Sequence, residues 1–109
     1  MNTVVEYMYR DGGNNKQYGR AWVSGILTMD DLLPFLHEGL YFVPKDVGLS
    51  QLRPEEWRYD DQLDHPWHEV LACRLRPTSY VPQIPAAYLL DAFRTAAEKG
   101  WPGQHDISW

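Results

Sequence analysis

The chain has 109 residues, with 10 Lys+Arg against 15 Asp+Glu, a formal charge of −5, and 44% hydrophobic and 23% charged residues. That length and balance suit a single globular domain spanning 1–109 and argue against disorder. The lone cysteine, Cys73, excludes an internal disulfide framework and a multi-cysteine zinc site, and the lack of a long apolar run or signal-like start fits a cytoplasmic protein with no membrane span.

Residues 3–10, TVVEYMYR, predict a strand with Val5, Tyr7 and Tyr9 on one face and Val4, Glu6, Met8 and Arg10 on the other. Asp11 to Asn15 tolerate positive φ and predict a hairpin turn into a second strand, about Gln17 to Leu27, with Tyr18, Arg20, Trp22, Ser24 and Ile26 sharing a face. Thr28 caps a helix whose first turn carries Asp30 and Asp31. The helix runs to about Glu38, Gly39 stops it, and Pro34 should bend or shorten it. His37 would then sit near a helix C-terminus, where the dipole favours its charged form.

Tyr41-Phe42-Val43 is long enough only for a brief strand, and Val47, Leu49, Leu52 and Trp57 read as anchors for the long connection that follows. Residues 67–76 predict a third strand by alternation, with Trp67, Glu69, Leu71, Cys73 and Leu75 on one face and His68, Val70, Ala72, Arg74 and Arg76 on the other. Pro77, Pro82 and Pro85 bracket an extended link. The final helix, about Pro85 to Lys99, carries a buried stripe of Leu89, Ala92, Phe93 and Ala96 and stops at Gly100. Tyr7, Trp22 and Phe93 read as core, and Trp101 and Trp109 as residues that dock the tail. The order ββαβα implies an α+β protein: two layers, an antiparallel sheet of three to four strands, and two helices on one face.

Charge is concentrated. Residues 55–69 carry six carboxylates against Arg58 alone, while the rest of the chain is formally neutral. Such a block steers a basic partner or holds a cation. Within it, Trp57, Asp60, Asp61, Asp64, Trp67 and Glu69 form a candidate partner-binding surface, because tryptophans concentrate interface energy. Asp64, His65 and His68 are candidate ligands for a divalent metal, although extended chain through Pro66 would point the two imidazoles apart. Arg10, Asn14, Asn15 and Lys16 form a candidate anion cradle at the hairpin turn. Cys73 reads as a buried, inert thiol.

Three blocks, Tyr7-Met8-Tyr9-Arg10-Asp11-Gly12-Gly13-Asn14-Asn15-Lys16, Phe42-Val43-Pro44-Lys45-Asp46-Val47-Gly48-Leu49 and Asp64-His65-Pro66-Trp67-His68-Glu69, resemble a family of small, uncharacterised bacterial proteins. The resemblance implies a bacterial or phage origin and a shared fold, and assigns no catalytic residue.

Two functions compete. The favoured one is a non-enzymatic interaction module, of immunity, antitoxin, inhibitor or regulatory-subunit type, that presents its acidic, Trp-bearing segment to a basic protein and needs no cofactor. The alternative is a small hydrolase or metal-dependent enzyme working at residues 64–69, with the hairpin turn holding an anionic substrate. An acidic mimic of nucleic acid ranks below both. Nucleic acid is disfavoured as a partner because no basic stripe is present, and a homodimer is left open.

Overall fold

A computed structural model describes residues 1–10, 16–50, 52, 67–77 and 84–101. Alternation at the N-terminus builds β1 (Asn2–Arg10) and β2 (Lys16–Ser24), paired antiparallel from Asn2↔Ser24 to Arg10↔Lys16. The sheet is completed by β3 (Tyr41–Phe42), β4 (His68–Arg76) and β5 (Ile84–Pro85), in the order β3-β4-β1-β2-β5. The protein is α+β as expected, but among the described residues the sheet has five strands and is mixed, in place of an antiparallel one of three to four. The unforeseen strand is β5, which pairs parallel to β2 through Val23↔Ile84 and Ser24↔Pro85. Two residues running straight into a helix carry no alternation to read, and Pro85, with no N–H to donate, fits an edge position.

One face of the sheet builds the core. Val5, Tyr7, Ala21, Val23 and Val70 cluster there with Leu32, Leu36, Phe42, Val47, Leu89, Phe93 and Ala96. Phe93 stacks on Phe42 with centroids 5.3 Å apart and makes a T-shaped contact with Trp101, whose indole N–H donates to the Phe35 carbonyl at 2.8 Å. Burying each such side chain is worth about 1.5–3 kcal/mol, which explains why so short a helical complement suffices.

The helices follow their local chemistry. Thr28 and Asp31 form a reciprocal capping box that starts α1 (Met29–Leu32). Pro34 cuts α1 to four residues and the chain tightens to a 3-10 turn at Leu33–Phe35, so the expected run to Glu38 does not form. The C-terminal helix α2 (Ala86–Lys99) buries Leu89, Phe93 and Ala96, as the spacing predicts, with Pro85 as its cap and not its first residue.

The expected faces of β4 are cut in two. Tyr7 pairs with Val70 but Glu6 with Ala72, so Leu71 is an extra, bulged residue. Before the bulge His68 and Val70 face the core; after it Cys73 shares Val5's core face. Simple alternation across Leu71 therefore assigns half the strand to the wrong side.

On the outer face, cross-strand register gathers Arg10, Lys16, Arg20, Arg74 and Arg76 around Glu6 and Glu69. Trp22 lies on this face, half-buried, and not in the core. Arg74 donates to Glu6 at 2.7 Å, and that bond, with the nearby guanidinium charge, holds the Glu6 carboxyl below its ordinary range. A shallow concavity of about 550 Å³ runs between Glu6, Tyr18, Arg20 and Leu71.

Candidate functional site

The chemically densest described region is the corner where β3 meets the start of β4. Past Leu36 the chain reverses: the Tyr41 N–H donates to the His37 carbonyl at 2.9 Å, and the His37 N–H to the Tyr41 carbonyl at 2.8 Å. Glu38 and Gly39 make the reversal with φ of 54° and 73°. Glycine adopts that conformation at no cost, whereas a glutamate there is strained by about 1–2 kcal/mol. Glu38 is the sole non-glycine residue with positive φ among the described residues. His37 thus belongs to a tight turn, not to a helix C-terminus.

Trp67, the residue entering β4, lies against this turn. Its ring stacks on His37 with centroids 4.5 Å apart and planes 20° from parallel, and Tyr41 meets it at 61° and 6.4 Å. His37, Glu38, Tyr41 and Trp67 line a pocket of about 250 Å³. The Glu38 carboxylate is largely exposed and lies 3.9 Å from His37 Nε2.

Neighbouring contacts hold Ser50 and Leu52 beside this corner. Tyr7 Oη donates to the Ser50 carbonyl at 2.8 Å, and the Leu52 N–H donates to His68 Nε2 at 3.1 Å. Leu52 also packs where a Cβ on Gly19 would fall 2.6 Å from its Cδ2, so glycine makes the room it occupies. Leu52 and Trp67, the described residues on either side of 53–66, therefore lie at adjoining points.

Of the residues nominated from sequence, Trp67 is at the pocket and Glu69 is on the outer face beside it, opposite Tyr41 in register. Glu69 is not an unencumbered carboxylate: Arg10 Nε approaches it at 3.5 Å, because β1–β4 pairing sets Met8 across from Glu69. The candidate anion cradle and the candidate partner surface meet in that ion pair. Lys16 is exposed at the other side of the hairpin end. Trp57, Asp60, Asp61, Asp64, His65, Asn14 and Asn15 lie outside the described residues.

His68, a candidate metal ligand in the sequence, is fully buried, with Tyr9 at 4.9 Å and Phe42 at 6.2 Å. Its Nε2 accepts the Leu52 N–H, which requires that nitrogen to be unprotonated and occupies the lone pair a metal would need. Among the described residues no group of three His, Cys, Asp or Glu side chains converges to hold a metal. Cys73 is half-buried; desolvation, with the nearby Asp31 charge, pushes its thiol up to about 11. His37, Glu38 and Tyr41 were missed as site residues. The Glu38-Gly39 pair is a turn signal, but nothing local brings Trp67 to it.

No family model, curated protein or solved structure matches the chain. No described helix is long and apolar enough to cross a membrane.

Proposed function

We propose that this protein is a small interaction module that binds a basic protein partner through its acidic 55–69 segment and the aromatic corner where that segment ends. The observation that carries this reading is the placement of Trp67. It joins the most acidic part of the chain to a half-exposed aromatic ledge on a rigid sheet edge. Tryptophans in such positions dominate interface energetics, while the surrounding carboxylates steer and orient the partner. The burial of His68 weighs against the enzymatic alternative, since the Leu52 N–H occupies the nitrogen that reading needs, whereas the Arg10–Glu69 pair engages a group that both readings use. The bacterial resemblance carries no activity and leaves the choice to the site.

The test is charge reversal. Asp60→Lys with Asp61→Lys should abolish low-salt capture of a lysine-rich peptide by the immobilised protein, and wild-type capture should fade as salt approaches about 1 M. Equal capture by wild type and the doubly reversed variant would refute the acidic surface.

A further inference from the structure

The pocket at the 37–41 turn has the composition of a receptor for one organic cation. We propose that His37, Glu38, Tyr41 and Trp67 seat the positively charged end of a lysine or arginine side chain. The inference rests on the reading above and adds to it the group recognised and the residues that recognise it.

Three features select this ligand. The lining is aromatic on two walls, and the faces of such rings attract a cation placed within about 6 Å of their centroids. Among the described residues, the pocket has one carboxylate, Glu38, so a single positive charge satisfies it while a carboxylate or phosphate is repelled. Its volume, about 250 Å³, falls below the ~300–1,000 Å³ of most small-molecule sites and suits one side chain and not a whole metabolite.

The turn itself adds a fourth observation. Glu38 holds a backbone conformation that glutamate disfavours, and the paired hydrogen bonds between His37 and Tyr41 fix it there. Local strain of this kind is sustained by surrounding structure, and here it sets an acidic side chain at the mouth of an aromatic pocket. In sequence the net −5 of residues 55–69 ends two residues after Trp67, and a block of that charge draws cationic groups toward the chain that carries it.

The full-length protein, labelled with ¹⁵N, should be titrated with N-acetyl-lysinamide, N-acetyl-argininamide and the neutral isostere N-acetyl-norleucinamide. The cationic probes should shift the Trp67 indole N–H and the Gly39 and Leu40 amides saturably, and norleucinamide should not. A stronger response to lysine places a compact ammonium in the Tyr41–Trp67 corner; a stronger response to arginine places a guanidinium stacked on one ring. Either supports the site.

Trp67→Ala and Glu38→Gln should each weaken the response about threefold to tenfold. Glu38→Gly relieves the backbone strain, so its loss of response cannot be ascribed to unfolding. Equal shifts from norleucinamide, or an unchanged response in Glu38→Gly, overturn the pocket. The larger reading is judged separately with the lysine-rich peptide. Peptide binding that survives Trp67→Ala and Glu38→Gly but is lost on reversing Asp60 and Asp61 removes the pocket and keeps the acidic surface. A wild-type protein that ignores the peptide removes the partner reading, whatever the side-chain probes do.

Discussion

His68 illustrates how one side chain can be chemically suggestive in sequence and structural in place. Its ring fills the core between Tyr9, Tyr7 and Phe42, and its Nε2 supplies the acceptor for the Leu52 N–H. Replacing it with phenylalanine keeps the ring but orphans that amide, at about 1–3 kcal/mol. His68→Phe should therefore lower the urea midpoint measurably, and an unchanged midpoint would show that the bond adds nothing. Cys73 makes the complementary case. With its thiol moved from the ordinary 9.0 up to about 11, it holds about a hundredfold less thiolate at pH 8 than an unshifted cysteine. Its alkylation by iodoacetamide should be slow in the native state by that factor, should accelerate as pH climbs toward 11, and should recover fully in urea. Buried character was legible for Cys73 from its apolar neighbours; for His68 it was hidden because unbroken alternation across Leu71 puts it on the face of Arg74 and Arg76.

Among the elements, those set by strong local periodicity were readable and those set by contacts distant in sequence were not. The β1–β2 hairpin and α2 follow from alternation and from the Leu89, Phe93 and Ala96 spacing. The brevity of α1 follows from Pro34. With four residues, α1 depends heavily on its cap. Thr28→Ala should cost about 1 kcal/mol, with Thr28→Ser near wild type, measured by chemical denaturation. Equal stability of both variants would mean that tertiary packing of Leu32 alone holds the turn. The bulge at Leu71 left no trace in the sequence, because Glu69 to Leu75 alternates acceptably in either register. It is β1, through Val5↔Cys73 and Tyr7↔Val70, that decides the matter. The pocket was opaque for the same reason, since His37 and Trp67 are thirty positions apart and meet only when β3 pairs with β4.

At the scale of the whole molecule, charge is sorted in a way that net charge conceals. Among the described residues the outer sheet face gathers five cations around Glu6 and Glu69, each paired with an arginine, while the sequence concentrates its carboxylates in residues 55–69, Glu69 being the last of them. The excess of cations on this described face disfavours a basic protein there and suits an anionic one, away from the Glu38 and Trp67 corner. The acidic block was visible in sequence; the cationic sheet face was not, because its cations come from three strands and converge only through register. The measurement that bears most directly on the account is calorimetric titration of a lysine-rich peptide into the wild-type protein and into Trp67→Ala, at low salt and at about 1 M salt. On the partner reading, wild type should bind at low salt, and both salt and loss of the indole should weaken that binding. Wild-type binding that neither salt nor Trp67→Ala alters, or no binding at all, would contradict it.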